Sequence, residues 1–291
     1  MPSEQIQWFP GHMAKTRRLI SENLKNVDII IELLDARIPQ SSQNPEIARL
    51  TEQKPRITLL NKASLADPSV SRLWMQYFKE HHKCTSLLVD CATGEGLDKI
   101  ASTVRAELNE KLQRWSDKGM DGKRIKAMIV GIPNVGKSTL INRICGSKKA
   151  KAENRPGVTT QKQWVQTNIG IDLLDMPGVL WPKFEDRRVG ENLALTGAIK
   201  DDILDLEGLA MTLCSRLRVI CPELLAQHYK LGEPDVFADL DDYDLFEFIG
   251  RKRGNLMSGG VVNTERTANM LLDEFRAAKI GRITLESPNK F

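Results

Sequence analysis

No run of about 18 consecutive apolar residues occurs in the 291-residue chain, so nothing in it reads as a membrane-spanning helix. The amino-terminal stretch MPSEQIQWFPGHMAKTRR has no apolar core and is not a secretory signal. Cysteine is scarce and scattered: Cys84, Cys91, Cys145, Cys214 and Cys221 make an odd set of five without a C-x-x-C pair. That argues against a disulfide framework and against a zinc knuckle. Aromatic residues are only 5% of the chain, and neither sign of charge dominates, with a net charge of +4. An anionic partner is permitted, not demanded. Internal repeats and low-complexity tracts are absent as well. What remains is a reduced, cytoplasmic globular protein, 41% hydrophobic and long enough for one large domain or two.

The apolar runs at 28–36, 56–61, 85–90 and 125–131 read as buried parallel strands, with helical stretches at 44–52, 67–81 and 96–115 between them. Two further strands, QWVQTNI and IDLLDMPG, are separated by Gly170. This alternation predicts an α/β fold with a mostly parallel sheet covered on both faces. After Trp181-Pro182 the pattern changes to amphipathic helices punctuated by Gly and Pro. The division expected is 1–181 and a smaller all-α domain over 182–291.

Strand 125–131 runs into Gly131-Ile-Pro-Asn-Val-Gly136-Lys137-Ser138, a full G-x-x-x-x-G-K-[ST] phosphate loop that opens a helix. Its glycines let backbone N–H groups converge on phosphates. Lys137 brings a point charge to the β and γ phosphates and Ser138 a hydroxyl to Mg²⁺, while Asn134, Val135, Gly136 and Thr139 line the cradle. Downstream, DMPG (175–178) has the form D-x-x-G. Asp175 would hold Mg²⁺ through water, and the Gly178 N–H would meet the γ phosphate. Between the two lies RPGVTT (155–160), where Thr159 is the candidate switch threonine on Mg²⁺ and Thr160 the runner-up. An ordinary surface loop is the plain alternative.

A GTP-binding loop calls for an Asn-Lys-x-Asp guanine reader, and downstream there is only Asn289-Lys290. The other Asn-Lys is upstream: Asn61-Lys62, at the end of strand 56–61. Asp90 and Cys91 begin DCATGEG at the end of another strand, in the manner of the loop that supports the base. The order is therefore base reader, support loop, phosphate loop, switch threonine, D-x-x-G. A sheet keeps its strand neighbours when old termini are joined and new ones opened at a surface loop. The polar, glycine-bearing 116–124 would be the joining loop.

In this order, and in WFPGHMAK (8–15), LLDARIPQSSQNPEI (33–47), RKRGNLMSGGVVN (251–263) and GRITLE (281–286), the whole chain resembles the YlqF family of circularly permuted GTPases, ribosome biogenesis GTPase A. The resemblance implies a cytoplasmic bacterial enzyme that hydrolyses GTP and assists late assembly of the large ribosomal subunit, its helical domain contacting ribosomal RNA. The sequence departs from the family's Asn-Lys-Ala-Asp tetrad: Ser64 stands where the aspartate is expected. A serine offers guanine one weaker, neutral contact, so restoring the acid by Ser64→Asp is expected to tighten GDP. Asp67 lies three residues on, at the start of a helix.

The residue after D-x-x-G is Val179, which cannot orient water as the glutamine of Ras-like enzymes does. The resemblance implicates His12 in catalysis, since an imidazole can position or deprotonate water near neutral pH. A packing or RNA-contacting role is the alternative. Val179 also leaves room for an assembly chaperone that senses nucleotide with negligible turnover, and Ser64 for an ATPase. In related GTPases without the glutamine, an asparagine placed like Asn134 can ligate K⁺; turn geometry would equally explain it. Basic residues gather at GRKRG (250–254), FRAAKIGR (275–282) and Lys15, Arg17 and Arg18. With few aromatics, they suit contacts to structured RNA better than base stacking, though a solvated face has the same look. Neither DNA nor a membrane is indicated as a partner, and a monomer is expected.

Overall fold

The computed structural model describes residues 10–146, 163–181 and 184–288, with side chains described from residue 15 in the first segment and 164 in the second. The chain opens with helix α1 (Pro10–Leu24) and enters strand β1 (Ile29–Asp35), every residue of which is buried. Helix α2 (Pro45–Leu50) is capped by Asn44, whose side chain accepts from the Glu46 and Ile47 N–H groups. Then follow β2 (Arg56–Asn61), α3 (Pro68–His81) and β3 (Thr85–Leu88). The helix expected over 96–115 is broken. It becomes α4 (Ile100–Glu107) and α5 (Asn109–Ser116), because Leu108 leaves helical geometry at φ −101°, ψ 14° and is itself buried. Strand β4 (Ile125–Gly131) and α6 (Lys137–Cys145) carry the phosphate loop between them, and β5 (Gln163–Gln166) and β6 (Ile171–Asp175) close the nucleotide half.

The strands form one sheet in the order β3-β2-β1-β4-β6-β5, parallel except for β5 against β6. Counted from β4 as first, the same sheet reads 6-5-4-1-3-2. The neighbours are kept while the chain begins elsewhere, and residues 117–124 make the joining loop. The strand order runs outward in opposite directions from β1 and β4. Ligands of open α/β sheets sit at such a switch point, beyond the carboxyl ends of the strands.

Helices α7 (Arg187–Leu195), α8 (Leu206–Ile220), α9 (Pro222–Tyr229), α10 (Asp242–Lys252) and α11 (Thr264–Arg276) follow, with α8 packed against the other four. The main hydrophobic core is continuous from Ile29 on β1 through Leu217 on α8 to Leu285. Residues 280–288 return along the nucleotide half. The Leu285 N–H donates to the Arg37 carbonyl at 2.8 Å and the Ile283 N–H to that of Leu65 at 3.1 Å. The buried Glu286 carboxylate accepts from the Gln40 N–H at 2.7 Å, the Ser41 N–H at 3.1 Å and Asn192 Nδ2 at 2.8 Å, and also from the Ser41 hydroxyl.

Two helices went unassigned from sequence, α1 and α7. In α1 the apolar face is narrow, and Ile20 is its one fully buried large apolar side chain among the described residues. That face joins a second core with Val27, Ile30, Met176 and Val179.

Candidate functional site

The phosphate loop gets its shape from residues that tolerate unusual backbone and crowding. Gly131 has φ +154° and Gly136 φ +106°. A Cβ on Gly131 would lie 2.6 Å from the Leu33 carbonyl oxygen, and one on Gly136 would run into the Asn61 amide. Asn134 takes φ +56°, and its Nδ2 donates to the Gly197 carbonyl at 3.2 Å, tying the loop to the turn after α7. Gly136 caps α6, so the N–H groups of its first turn, from Lys137 through Ser138 and Thr139, face the cradle. Val135 is buried behind it.

Lys137 Nζ donates to the Gly131 and Ile132 carbonyls at 3.0 and 2.8 Å. Burial draws the ammonium down to about 8, with Asp175 opposing. Burial pushes the Asp175 carboxyl up to about 6, with Lys137 opposing. Asp175 Oδ1 is the one buried side-chain polar atom without a hydrogen-bond partner among the described residues. Such an atom is costly unless a ligand completes it. Gly178 closes the site: a Cβ there would stand 2.5 Å from Lys137 Nζ and 2.9 Å from Pro133. The D-x-x-G turn and the phosphate loop therefore meet, as their motifs predict. Val179 points away, 3% exposed in the core beneath α1, while its carbonyl accepts from Asn44 Nδ2 at 3.1 Å.

The upstream Asn-Lys comes to the same edge. Asn61 Nδ2 donates to the Val135 carbonyl at 2.6 Å, and Asn61 Oδ1 accepts from the Cys91 N–H at 2.9 Å. One side chain thus clamps β2, the phosphate loop and the 90–96 loop together. Arg143 on α6 holds that loop from the far side, donating to the Cys91 and Ala92 carbonyls. Burial pushes the Cys91 thiol up to about 12, so Cys91 contributes its backbone and no thiolate. Lys62 has φ +60° and its Nζ lies 3.0 Å from Asp35 Oδ2. The same carboxylate receives Arg37 Nε at 2.9 Å and Nη2 at 2.7 Å. This Asp35–Arg37–Lys62 group, its acid and arginine buried, begins within LLDARIPQ, but its role was not legible in sequence. An aspartate followed two residues later by an arginine at a strand end is the signal that was available.

Asp67 does not substitute for the missing tetrad acid. It is the α3 cap, accepting from the Ser69 and Val70 N–H groups at 2.7 and 3.0 Å. Ser64 instead donates its hydroxyl to Asp90. Burial raises the Asp90 carboxyl, but the bonds from Ser64, Thr93 and Ala92 outweigh it and hold it below its ordinary value. The expected basic patch is smaller than the sequence suggested. Arg276 binds Asp201 at 2.7 Å and the Ala194 and Leu195 carbonyls, and Arg282 binds the Ala63 and Ala66 carbonyls at 2.7 and 3.0 Å. Arg251 and Arg253 pair with Glu247 and Glu274. Lys252 and Lys279 are exposed. His12 lies in the first turn of α1, but its side chain falls outside the described residues, as do Thr159 and Thr160.

A phosphate loop, a D-x-x-G turn and an Asn-Lys clamp on a sheet of permuted connectivity define a circularly permuted P-loop GTPase. Residues 126–207 match the family model described as "50S ribosome-binding GTPase". The chain is 50% identical to "Ribosome biogenesis GTPase A" of Priestia megaterium over 98% of each, and 48% identical to that of Bacillus pumilus over 97% of this chain and 99% of the other. The solved structure "GNP-bound YlqF from T. maritima" superimposes with a TM-score of 0.61 at 25% identity, covering 94% of this chain and 98% of that one. The chain belongs to the ribosome biogenesis GTPase A family: it is a GTPase that binds guanine nucleotide and serves ribosome biogenesis. An ATPase reading is set aside by that membership. No described helix is long and apolar enough to cross a membrane.

Proposed function

We propose that this GTPase acts in the cytoplasm as a monomer on late intermediates of the large (50S) ribosomal subunit, and that the subunit stimulates its turnover. Residues 1–181 would form the nucleotide unit and 182–291 the unit that contacts ribosomal RNA. The observation that carries the reading is an incomplete hydrolytic set: Lys137 and Gly178 meet at the phosphate loop, while Val179 is buried and cannot order water. Completion in trans couples hydrolysis to the partner. The relatives' names and the family description supply the partner's class.

The orphaned Asp175 Oδ1 suits a divalent cation, and Ser138 supplies a hydroxyl of the kind Mg²⁺ accepts. With Thr159 they would hold Mg²⁺, which neutralises charge on the phosphates when bound. Asn134, its nitrogen turned to Gly197, would offer its carbonyl oxygen to K⁺ beside them. His12 would order the attacking water.

Co-sedimentation of the full chain with isolated ribosomal subunits tests the partner. Binding to large subunits is expected, stronger with a GTP analogue than with GDP. Lys252→Glu/Lys279→Glu is expected to weaken it and to flatten its salt dependence, by about one unit of log–log slope for each phosphate no longer neutralised. Preference for small subunits, or binding untouched by the charge reversals, would contradict this assignment of the surface.

A further inference from the structure

Ser64 sits in the short turn Ala63–Leu65 that follows Lys62, and Arg282 pins that turn from behind through the Ala63 and Ala66 carbonyls. Asp90, 2% exposed, lies beside it two residues beyond β3. Its Oδ1 accepts from the Ala92 and Thr93 N–H groups at 2.9 and 3.0 Å. Its Oδ2 accepts from the Ser64 hydroxyl and from the Ser64 N–H at 3.3 Å. Four donors fill the carboxylate, leaving it no direct role toward a base. A hydroxyl has one proton and two lone pairs. With the proton committed inward to an anion, Ser64 Oγ can only accept from anything on its open side. The anion behind it also strengthens it as an acceptor.

We infer that Ser64 and Asp90 together replace the tetrad aspartate: Ser64 Oγ accepts from the N1–H and exocyclic amine edge of guanine, and Asp90 is the positioning residue that fixes the hydroxyl's polarity. The missing charge has moved one residue back from the base. Adenine presents an acceptor at N1 and is rejected; xanthine replaces the amine donor with a carbonyl acceptor and is disfavoured. This rests on the base lying between the 61–64 and 90–93 segments.

The expectation for Ser64→Asp changes accordingly. A carboxylate at 64 would face that of Asp90 at close range, and like charges so placed disfavour one another. Ser64→Asp alone gains nothing, whereas Ser64→Asp/Asp90→Asn restores a single charge.

The test is competition binding of GDP and xanthosine diphosphate to the full-length protein, with thermal melting as a folding control. In Asp90→Asn the Ala92 and Thr93 N–H groups hold Oδ1, so Nδ2 faces Ser64 and turns its hydroxyl outward as a donor. GDP is expected to weaken about tenfold, the value of roughly one hydrogen bond, while the xanthine nucleotide does not weaken. The milder Ser64→Ala should also narrow the ratio. The double variant should bind GDP more tightly than the wild type. Parallel weakening of both nucleotides in Asp90→Asn would reduce Asp90 to a turn-former and overturn the proposal, as would tightening by Ser64→Asp alone. Unchanged affinities in both Ser64→Ala and Asp90→Asn would instead remove the base from this corner, a failure of the site assignment itself.

Discussion

Replacing His12 with alanine is expected to lower subunit-stimulated turnover about 10²–10⁴-fold, the range of a general base or water-positioning group. Two structural facts direct that expectation to α1. The residue after D-x-x-G is closed off: Val179 shares a core with Ile20, Ile30 and Met176. The helix bearing His12 is packed over that turn. Arg17 on α1 pairs with Glu46 in the first turn of α2, and Asn44, which caps α2, holds the Val179 carbonyl. The carboxyl end of α1 leads into β1, and its amino-terminal half is the part tied, through Arg17, to α2 and so to the turn after D-x-x-G. An imidazole is a side chain able to position or deprotonate a water. Single-turnover hydrolysis with large subunits present is the readout, and GDP affinity and subunit association should barely change. Loss of subunit association would make His12 a docking residue.

Arg37→Ala is expected to cost about 3–5 kcal/mol of stability, the penalty for breaking a buried ion pair from one side. Arg37 and Asp35 are each only 2% exposed as side chains, and Lys62 completes the group. Arg37 also donates to the Thr196 and Arg276 carbonyls, both at 3.4 Å, so its loss loosens α7 and α11 from the end of β1. Urea denaturation of the intact protein measures the change. The pH dependence follows the same group. Burial alone would raise the Asp35 carboxyl, but Arg37 and Lys62 hold it well below the usual carboxylate range. Its contribution is full above the unfolded value of about 3.9 and is lost as pH falls from there toward the folded value. Without Arg37 the native value rises and the contribution shrinks, so acid unfolding should begin at a higher pH. A wild-type-minus-variant stability difference that stays constant as pH falls through the carboxylate range would mean that Lys62 alone carries the carboxylate.

The central strands were legible because they are short, largely apolar runs that end at motifs. Ile29–Asp35 and Ile125–Gly131 are buried almost throughout and finish at DAR and at the phosphate loop. The motif order alone implied permuted connectivity, since chemistry fixes which strand ends must meet. Helix α1 was missed because few of its described side chains are buried. The basic segments were over-read because composition does not reveal partners distant in sequence: Asp201 for Arg276, and the Ala63 carbonyl for Arg282. The pairing of Ser64 with Asp90 was hidden for the same reason, 26 residues apart along the chain. The proposed boundary near 182 follows a real change of sequence texture, yet the core passes across it and 280–288 returns to the β1 end. Deleting the helical part would expose that core, so its contribution is better probed by surface charge reversal.

Multiple-turnover phosphate release by the full-length protein, with and without purified large ribosomal subunits and in K⁺ and Na⁺ buffers, tests the central claim most directly. Slow release from the protein alone, rising strongly with large subunits and more so in K⁺, is the predicted result. A rate indifferent to the subunit would contradict it, because the missing water-ordering geometry would then have to lie within this chain.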